Sequence, residues 1–182
     1  MRVIAGRFRS RKLASVPGLD VRPTPDRLRE ALFNVLAPRV EGTVFLDAYA
    51  GSGAVGIEAL SRGASQVILI EKAAAAVKVI ESNLASLGIG REAAIVRGNA
   101  ASLIRKYEPE IAFLDPPYSQ TNAYAECLEA LAAGNCSLAI AQHESRFQLQ
   151  DHYGSLRKYR VLKQGDNSLS FFDRRLATDE CP

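Results

Sequence analysis

A loop with three closely spaced glycines follows the first apolar, strand-like run of the central region. It reads Asp47-Ala48-Tyr49-Ala50-Gly51-Ser52-Gly53-Ala54-Val55-Gly56, and Glu71 comes twenty residues after Gly51. A G-x-G-x-x-G loop between a strand and a helix, with an acid at the end of the next strand, is typical of sites that bind a nucleotide ribose. The alternative is a tight turn that uses glycine only for its dihedral angles. The position of the acid favours ligand contact by Ala50, Gly51, Ser52, Gly53, Gly56 and Glu71.

Asp47 distinguishes between two candidate cofactors, NAD and S-adenosylmethionine, which both carry an adenosine ribose. The pyrophosphate of NAD would be repelled by this carboxylate, whereas the ammonium and sulfonium groups of S-adenosylmethionine would be attracted to it. Asp47 therefore favours S-adenosylmethionine as the cofactor, although an Asp at a strand end can also cap a turn. Asn99 follows the third strand, and two roles stay open for it: accepting a hydrogen bond from adenine, or capping the next helix.

A second motif, Asp115-Pro116-Pro117-Tyr118, ends the fourth strand. Asp-Pro pairs often open turns. An Asp followed by two prolines and an aromatic residue, at a strand end in line with the glycine loop, resembles the methyltransferases that act on exocyclic amines of nucleic-acid bases. The resemblance implies that Asp115, Pro116, Pro117 and Tyr118 are the catalytic residues.

The residue types of this motif suit the chemistry of a poorly nucleophilic amine. The lone pair of an exocyclic amine is delocalised into the ring, and two acceptors on its N–H bonds would localise it. The Asp115 carboxylate and the Pro116 carbonyl would be these acceptors, while the prolines keep the segment stiff. Tyr118 offers a flat face for a base that has left its stack. Positioning and electrostatics would then supply most of the catalysis.

The amino-terminal segment narrows the resemblance to one family. Residues 1–6 (MRVIAG), 22–36 (RPTPDRLREALFNVL), 51–53 and 58–64 (EALSRGA), together with the Asp-Pro-Pro-Tyr motif, resemble the bacterial family that methylates N2 of guanine 966 in 16S ribosomal RNA. The resemblance covers nearly the whole chain. It implies a substrate within the small ribosomal subunit or an assembly intermediate. The sequence departs from the usual pattern of this family at two places. Asp47-Ala48-Tyr49 stands where Asp-Leu-Phe is more usual, and Pro25 stands where the family often has Thr. Both departures bear on the shape of the donor pocket.

The hydrophobic pattern predicts an α/β fold. Short apolar strands at 43–47, 66–71, 93–97, 111–115, 137–142, 156–162 and 168–174 alternate with helices after Pro25, up to Gly63, up to Gly88, near 102–106 and near 124–132. Such alternation implies a mostly parallel sheet with helices on both faces. The family resemblance implies a Rossmann-like, seven-stranded methyltransferase sheet whose last strand is antiparallel. We expect a small basic extension over residues 1–40, with strands and one helix, and a methyltransferase domain over residues 41–182.

The charge of +3 is unevenly distributed along the 182 residues. Residues 1–40 have a balance of +6, from nine basic and three acidic residues, and residues 41–156 have a balance of −5, from eight and thirteen. The remaining residues have a balance of +2. Basic ends on an acidic body predict a polyanionic partner. The residues expected to contact RNA phosphates are Arg2, Arg7, Arg9, Arg11, Lys12 and Arg22; a solvated charged surface is the alternative.

Several other classes are disfavoured. No apolar run reaches the length of a membrane span, and the first residues lack the apolar stretch of a signal peptide. Cys127, Cys136 and Cys181 lack metal spacing and fit a reducing cytoplasm, so neither a metal site nor a disulfide framework is expected. A DNA adenine N6-methyltransferase, a catalytically silent RNA-binding module, an NAD dehydrogenase and a protein glutamine methyltransferase are the rival functions. A monomer is the default expectation.

Overall fold

The computed structural model describes residues 1–16 and 26–175. The helices of this part of the chain are α1 (Asp26–Leu36), α2 (Ala54–Ser61), α3 (Ala74–Leu87), α4 (Ala100–Leu103), which continues as a 3-10 turn over Ile104–Lys106, and α5 (Asn122–Ala133). The strands are β1 (Val44–Ala48), β2 (Gln66–Glu71), β3 (Ala93–Arg97), β4 (Ile111–Leu114), β5 (Leu138–Glu144), β6 (His152–Tyr153), β7 (Leu156–Gln164) and β8 (Asn167–Asp173). The predicted elements are thus present, with ends displaced by a few residues.

The strands form a single sheet in the order β3-β2-β1-β4-β5-β8-β7-β6. Strands β1 to β5 are parallel to one another, and β8 runs antiparallel to both β5 and β7. The predicted Rossmann-like class, with an antiparallel last strand, is confirmed. The count differs by one, because the two-residue β6 pairs with the edge of β7. A strand this short has no alternating pattern that a sequence could reveal.

Neighbouring residues of the central strands point to opposite faces of the sheet, so these apolar strands present an apolar surface on each face. Helices cover both surfaces. Phe45 and Phe113 belong to a core formed with α1, α2 and α3. Leu46 and Leu114 belong to a second core, formed with α4 and α5. Their near-complete burial explains why β1 and β4 are continuous apolar runs, as strands of covered parallel sheets are.

The amino-terminal segment packs against the first of these cores. Val3 and Leu13 are buried in it, and Arg2 and Lys12 form an isolated antiparallel bridge. The buried carboxylate of Glu58, on α2, accepts hydrogen bonds from the backbone N–H groups of Ile4 (2.8 Å) and Ala5 (3.0 Å). A boundary at residue 40 stays a prediction, since the residues on both sides of it share one core.

The site predicted from the sequence falls where the strand order reverses. β1 has β2 on one side and β4 on the other. The connection from β1 to β2 therefore runs to one side of β1, and the connection from β3 to β4 crosses to the other side. A crevice opens at such a switch point, at the carboxyl ends of the strands, and ligands bind there. The loops that follow β1, β2, β3 and β4 all begin at this edge. Among the described residues, no helix is long and apolar enough to cross a membrane.

Candidate active site

A cavity of about 1420 Å³ opens at the carboxyl edge of the sheet. It is larger than the roughly 300–1,000 Å³ of an ordinary small-molecule site, so it has room for two ligands side by side. The predicted residues that line it are Asp47, Ala50, Gly51, Ser52, Glu71, Asn99, Asp115, Pro116, Pro117 and Tyr118. Both predicted motifs therefore face one cavity.

The glycine loop needs backbone conformations that favour glycine. Gly51 and Gly53 have φ of 57° and 79°, and Tyr49 also has a positive φ of 68°. No atom lies within 4 Å of a Cβ added to Gly51, so this residue is open toward the cavity. Gly53 N–H donates to the Ala50 carbonyl oxygen (2.7 Å), which closes the turn before α2 begins. The loop thus exposes backbone to the space where a ligand binds.

Gly56 is excluded from the cavity lining and serves packing instead. A Cβ added to it would lie 2.6 Å from Leu69 Cδ2 and 2.7 Å from Val67 Cγ2. Only glycine lets the first turn of α2 approach β2 this closely. Gly53 is also absent from the cavity lining, so direct contact of either glycine with the donor stays a prediction that this geometry does not support.

Asp47 is buried, with 2% of its surface exposed, at the end of β1. Its Oδ2 accepts a hydrogen bond from Gly56 N–H (2.9 Å). Burial raises the pKa of Asp47 to about 8; the hydrogen bond from Gly56 opposes the shift, and the charges of Asp115 and Glu71 add to it. A cationic ligand in the cavity would relieve this penalty on the carboxylate, so the residues present fit S-adenosylmethionine.

Glu71 fastens the glycine loop to the end of β2. Its Oε2 accepts from Gly51 N–H (2.8 Å) and its Oε1 from Ala73 N–H (2.7 Å). Each carboxylate oxygen keeps a second lone-pair site, so Glu71 can hold the loop and still accept from a ribose hydroxyl.

Asn99 caps a helix. Its Oδ1 accepts from Ala101 N–H (3.0 Å) at the start of α4. Of the two roles left open by the sequence, capping is therefore confirmed. Asn99 also lines the cavity, and a contact with adenine stays a prediction.

The Asp-Pro-Pro-Tyr segment begins directly after β4. Asp115 is half-buried, Pro116 is buried, and Tyr118 is 43% exposed. The Tyr118 hydroxyl donates to Asn167 Oδ1 (2.5 Å), so the segment is tied to the first residue of β8. The aromatic ring is thus held at the mouth of the cavity, where an incoming base could stack on it.

Sequence reasoning missed part of the cavity. Its further lining includes Met1, Ser15 and Val16 from the amino-terminal segment, and Gln142, Glu144, Ser145, Arg146, Asp166 and Asn167 from the ends of β5 and β8. The residues at the end of β5 were within reach of prediction, because β5 neighbours β4 in the parallel sheet and ends at the same edge.

The predicted RNA-contacting residues that the structure describes are exposed. They are Arg2, Arg7, Arg9, Arg11 and Lys12, and Arg22 lies outside the described residues. Arg7 also forms an ion pair with Glu92 (3.2 Å), and Arg11 Nη2 donates to the Ser86 carbonyl oxygen (2.7 Å). These two contacts hold the amino-terminal segment against the end of α3 and the start of β3.

The structure describes two of the three cysteines. Cys127 and Cys136 are buried free thiols, whereas Cys181 lies outside the described residues, as does Pro25, after which the first helix was predicted. Residues 1–16 and 26–175 contain no group of His, Cys, Asp and Glu side chains arranged to hold a metal ion.

This fold and this cavity define a class: the protein is a Rossmann-like methyltransferase that uses S-adenosylmethionine. Residues 1–173 match the family described as conserved hypothetical protein 95, and the chain belongs to this family. The resemblance drawn from the sequence motifs is thereby confirmed.

The chain is similar to curated relatives and to solved structures. It is 47% identical over 120 residues to Ribosomal RNA small subunit methyltransferase D of Escherichia coli, a match that covers 65% of this chain and 60% of that protein. It is 32% identical to YlbH of Bacillus subtilis over 96% of this chain and 100% of YlbH. The structure of YhhF from Escherichia coli superposes with a TM-score of 0.81 at 36% identity, over 96% of this chain and 97% of that one.

Proposed function

We propose that this protein transfers a methyl group from S-adenosylmethionine to the exocyclic N2 of guanine 966 in 16S ribosomal RNA. The substrate would be the small ribosomal subunit or an assembly intermediate, and we expect a cytoplasmic monomer. The observation that carries the proposal is that Asp47 and Asp115 line the same cavity. β1 and β4 are in register with Asp47 opposite Phe113, so Asp115 follows two residues later on the same face.

The residues divide the cavity between the two substrates. Asp47, Glu71 and the glycine loop would hold the donor, which supplies an activated methyl group when bound. Asp115 and the Pro116 carbonyl would accept hydrogen bonds from the two N–H groups of the amine and leave its lone pair directed at the methyl. As the N–C bond forms, the bond between the methyl group and the donor sulfur breaks, and the amine must lose one proton, which the Asp115 carboxylate would accept.

RNA recognition would use the basic amino-terminal surface. Arg2, Arg7, Arg9, Arg11 and Lys12 are exposed, and the segment that carries them also contributes Met1, Ser15 and Val16 to the cavity wall. Phosphate contacts on this surface would place the target strand at the cavity mouth, because such contacts position the nucleic acid without reading its sequence.

The decisive experiment is methylation of small subunits that lack their native modifications, with mapping of the modified base. Wild-type protein is expected to label N2 of one guanine in 16S RNA. Asp115→Ala is expected to lower the rate at least about a thousandfold while the donor still binds by calorimetry. Asp151→Ala, on the exposed surface, serves as the matched control. Normal methylation by Asp115→Ala, or labelled DNA beside unlabelled subunits, would contradict the proposal.

A further inference from the structure

Gln142 lies beside Asp115 at the carboxyl end of the sheet. The parallel strands β4 and β5 place Leu114 opposite Ala141, and Asp115 and Gln142 are the next residues of the two strands. Both side chains line the cavity. Gln142 is nevertheless only 3% exposed, so its carboxamide is held within the wall.

The Gln142 side chain is set up to bind something other than protein. Its Oε1 is buried and has no hydrogen-bond partner among the described residues. The backbone is fixed independently, since the Gln142 carbonyl oxygen accepts from the Tyr124 hydroxyl (2.9 Å). A buried polar atom without a partner is costly, and a native site tolerates it where a ligand supplies the missing hydrogen bond.

The surroundings of Gln142 favour a ligand that donates hydrogen bonds. Asp115, Glu144 and Asp166 line the same cavity, and Arg146 is paired with Glu144 (3.1 Å). Carboxylates repel a phosphate but accept from N–H groups. The edge of a neutral base therefore fits this subsite better than the RNA backbone does.

We propose that the Gln142 carboxamide oxygen accepts the N1–H of the target guanine, which makes Gln142 a specificity-determining residue. This inference rests on the proposed function. The Watson–Crick edge of guanine presents N1–H and N2–H side by side, and the neighbouring acceptors of Gln142 and Asp115 complement this pair. Adenine presents an acceptor, N1, beside its exocyclic amine. The lone pair of N1 would face the oxygen of Gln142, so no hydrogen bond would form.

The test compares small subunits that carry guanine or 2-aminopurine at the target position. 2-Aminopurine keeps the exocyclic amine at C2 and lacks N1–H. Wild-type protein is expected to prefer guanine at least about tenfold in kcat/KM, because a site built to bond an N–H rejects the analogue without it. Gln142→Met, similar in shape and without an acceptor, should reduce this preference to about twofold or less, mainly by slowing guanine. Gln142→Glu keeps an acceptor and should keep the preference.

The controls separate recognition from folding. Donor affinity of Gln142→Met should stay within about twofold of wild type, which shows that the fold and donor site persist. Gln164→Met removes another glutamine whose Oε1 is buried without a partner, outside the cavity, and should keep the guanine preference. An unchanged preference in Gln142→Met, or its loss in Gln142→Glu, overturns this inference alone. Failure of wild-type protein to methylate guanine-containing subunits overturns the proposed function and the inference together.

Discussion

The Oδ2 of Asp47 accepts a hydrogen bond of 2.9 Å from the backbone N–H of Gly56. This bond joins the end of β1 to the first turn of α2 and so spans the whole glycine loop. It favours the ionised form of Asp47, because the exposed N–H groups of a first helical turn stabilise negative charge, but the effect of burial is larger and raises the pKa. The first two predictions concern this group.

The first prediction is that protein stability decreases as pH rises toward 8. The pKa of Asp47 in the folded protein is about 8, against an ordinary value of 3.8 for Asp, so the folded state binds a proton that the unfolded state releases. The resulting stabilisation is complete below about pH 4 and is lost as pH rises through about 8. Urea unfolding at pH 5 and pH 8 should show this loss in wild type and a smaller one in Asp47→Asn. Equal losses in both proteins would exclude Asp47 as the cause.

The second prediction is that donor binding near pH 7 releases protons from Asp47. A cation in the cavity favours the ionised carboxylate, so its pKa falls on binding. Calorimetry in two buffers of different ionisation enthalpy should detect the release in wild type and less of it in Asp47→Asn. The variant should also bind the donor about tenfold or more weakly. Exposed Asp151, changed to Asn, is the control; unchanged affinity in Asp47→Asn would count against the proposed place of the donor cation.

The third prediction concerns close packing at Gly56. A methyl group there would meet Leu69 and Val67 at 2.6 and 2.7 Å. Gly56→Ala should therefore destabilise the protein by about 1–3 kcal/mol, which urea unfolding measures. Gly90→Ala is the matched control, because the nearest atom to its added Cβ is 3.9 Å away on the side chain of Glu92. Equal stability of the two variants would argue against the packing role.

The fourth prediction concerns Glu58, which fastens the amino-terminal segment to α2. Besides Ile4 and Ala5, its buried carboxylate accepts from Arg62 Nε (2.7 Å) and lies 3.8 Å from Arg29 Nε. Glu58→Gln would leave the buried Arg29 guanidinium with only the exposed carboxylate of Asp26 (3.2 Å) as counter-charge, at a cost of about 3 kcal/mol. Trypsin should then cleave near Arg7 faster than in wild type. Glu81→Gln, on an exposed part of α3, should change neither property; a resistant amino terminus in Glu58→Gln would disprove the role.

The fifth prediction concerns the salt dependence of RNA binding. Arg9 and Lys12 are exposed on the amino-terminal segment. If both contact phosphates, changing them to Gln should reduce the slope of log affinity against log salt by about 1.4, at about 0.7 for each contact with single-stranded RNA. Arg105 and Lys106 form a matched pair in the 3-10 turn that leads to β4, away from the cavity. The same change there should leave the slope as in wild type, and equal slopes for all three proteins would refute phosphate contact by Arg9 and Lys12.

Much of the fold follows from local features of the sequence. Apolar runs such as Gln66–Glu71 and Ala93–Arg97 have the predicted bounds, because strand length and the flanking Gly residues are local properties. The end of α3 is also local, since Gly88 has the positive φ that terminates a helix. The order of motifs along the chain placed Asp47, Glu71, Asn99 and Asp115 at the ends of consecutive parallel strands, and that order alone assigned them to one edge.

Only the tertiary structure decided what each of these residues touches. Gly56 was predicted to contact the ligand, yet it packs against β2, because its role depends on a strand that follows it along the chain. Gln142 had no motif to mark it, and it became a site residue only because β5 lies next to β4 with Ala141 opposite Leu114. The burial that raises the pKa of Asp47 likewise depends on α2 lying over the strand end. Residue types and spacing thus determined which chemistry is present, whereas contacts between distant segments decided which atoms perform it.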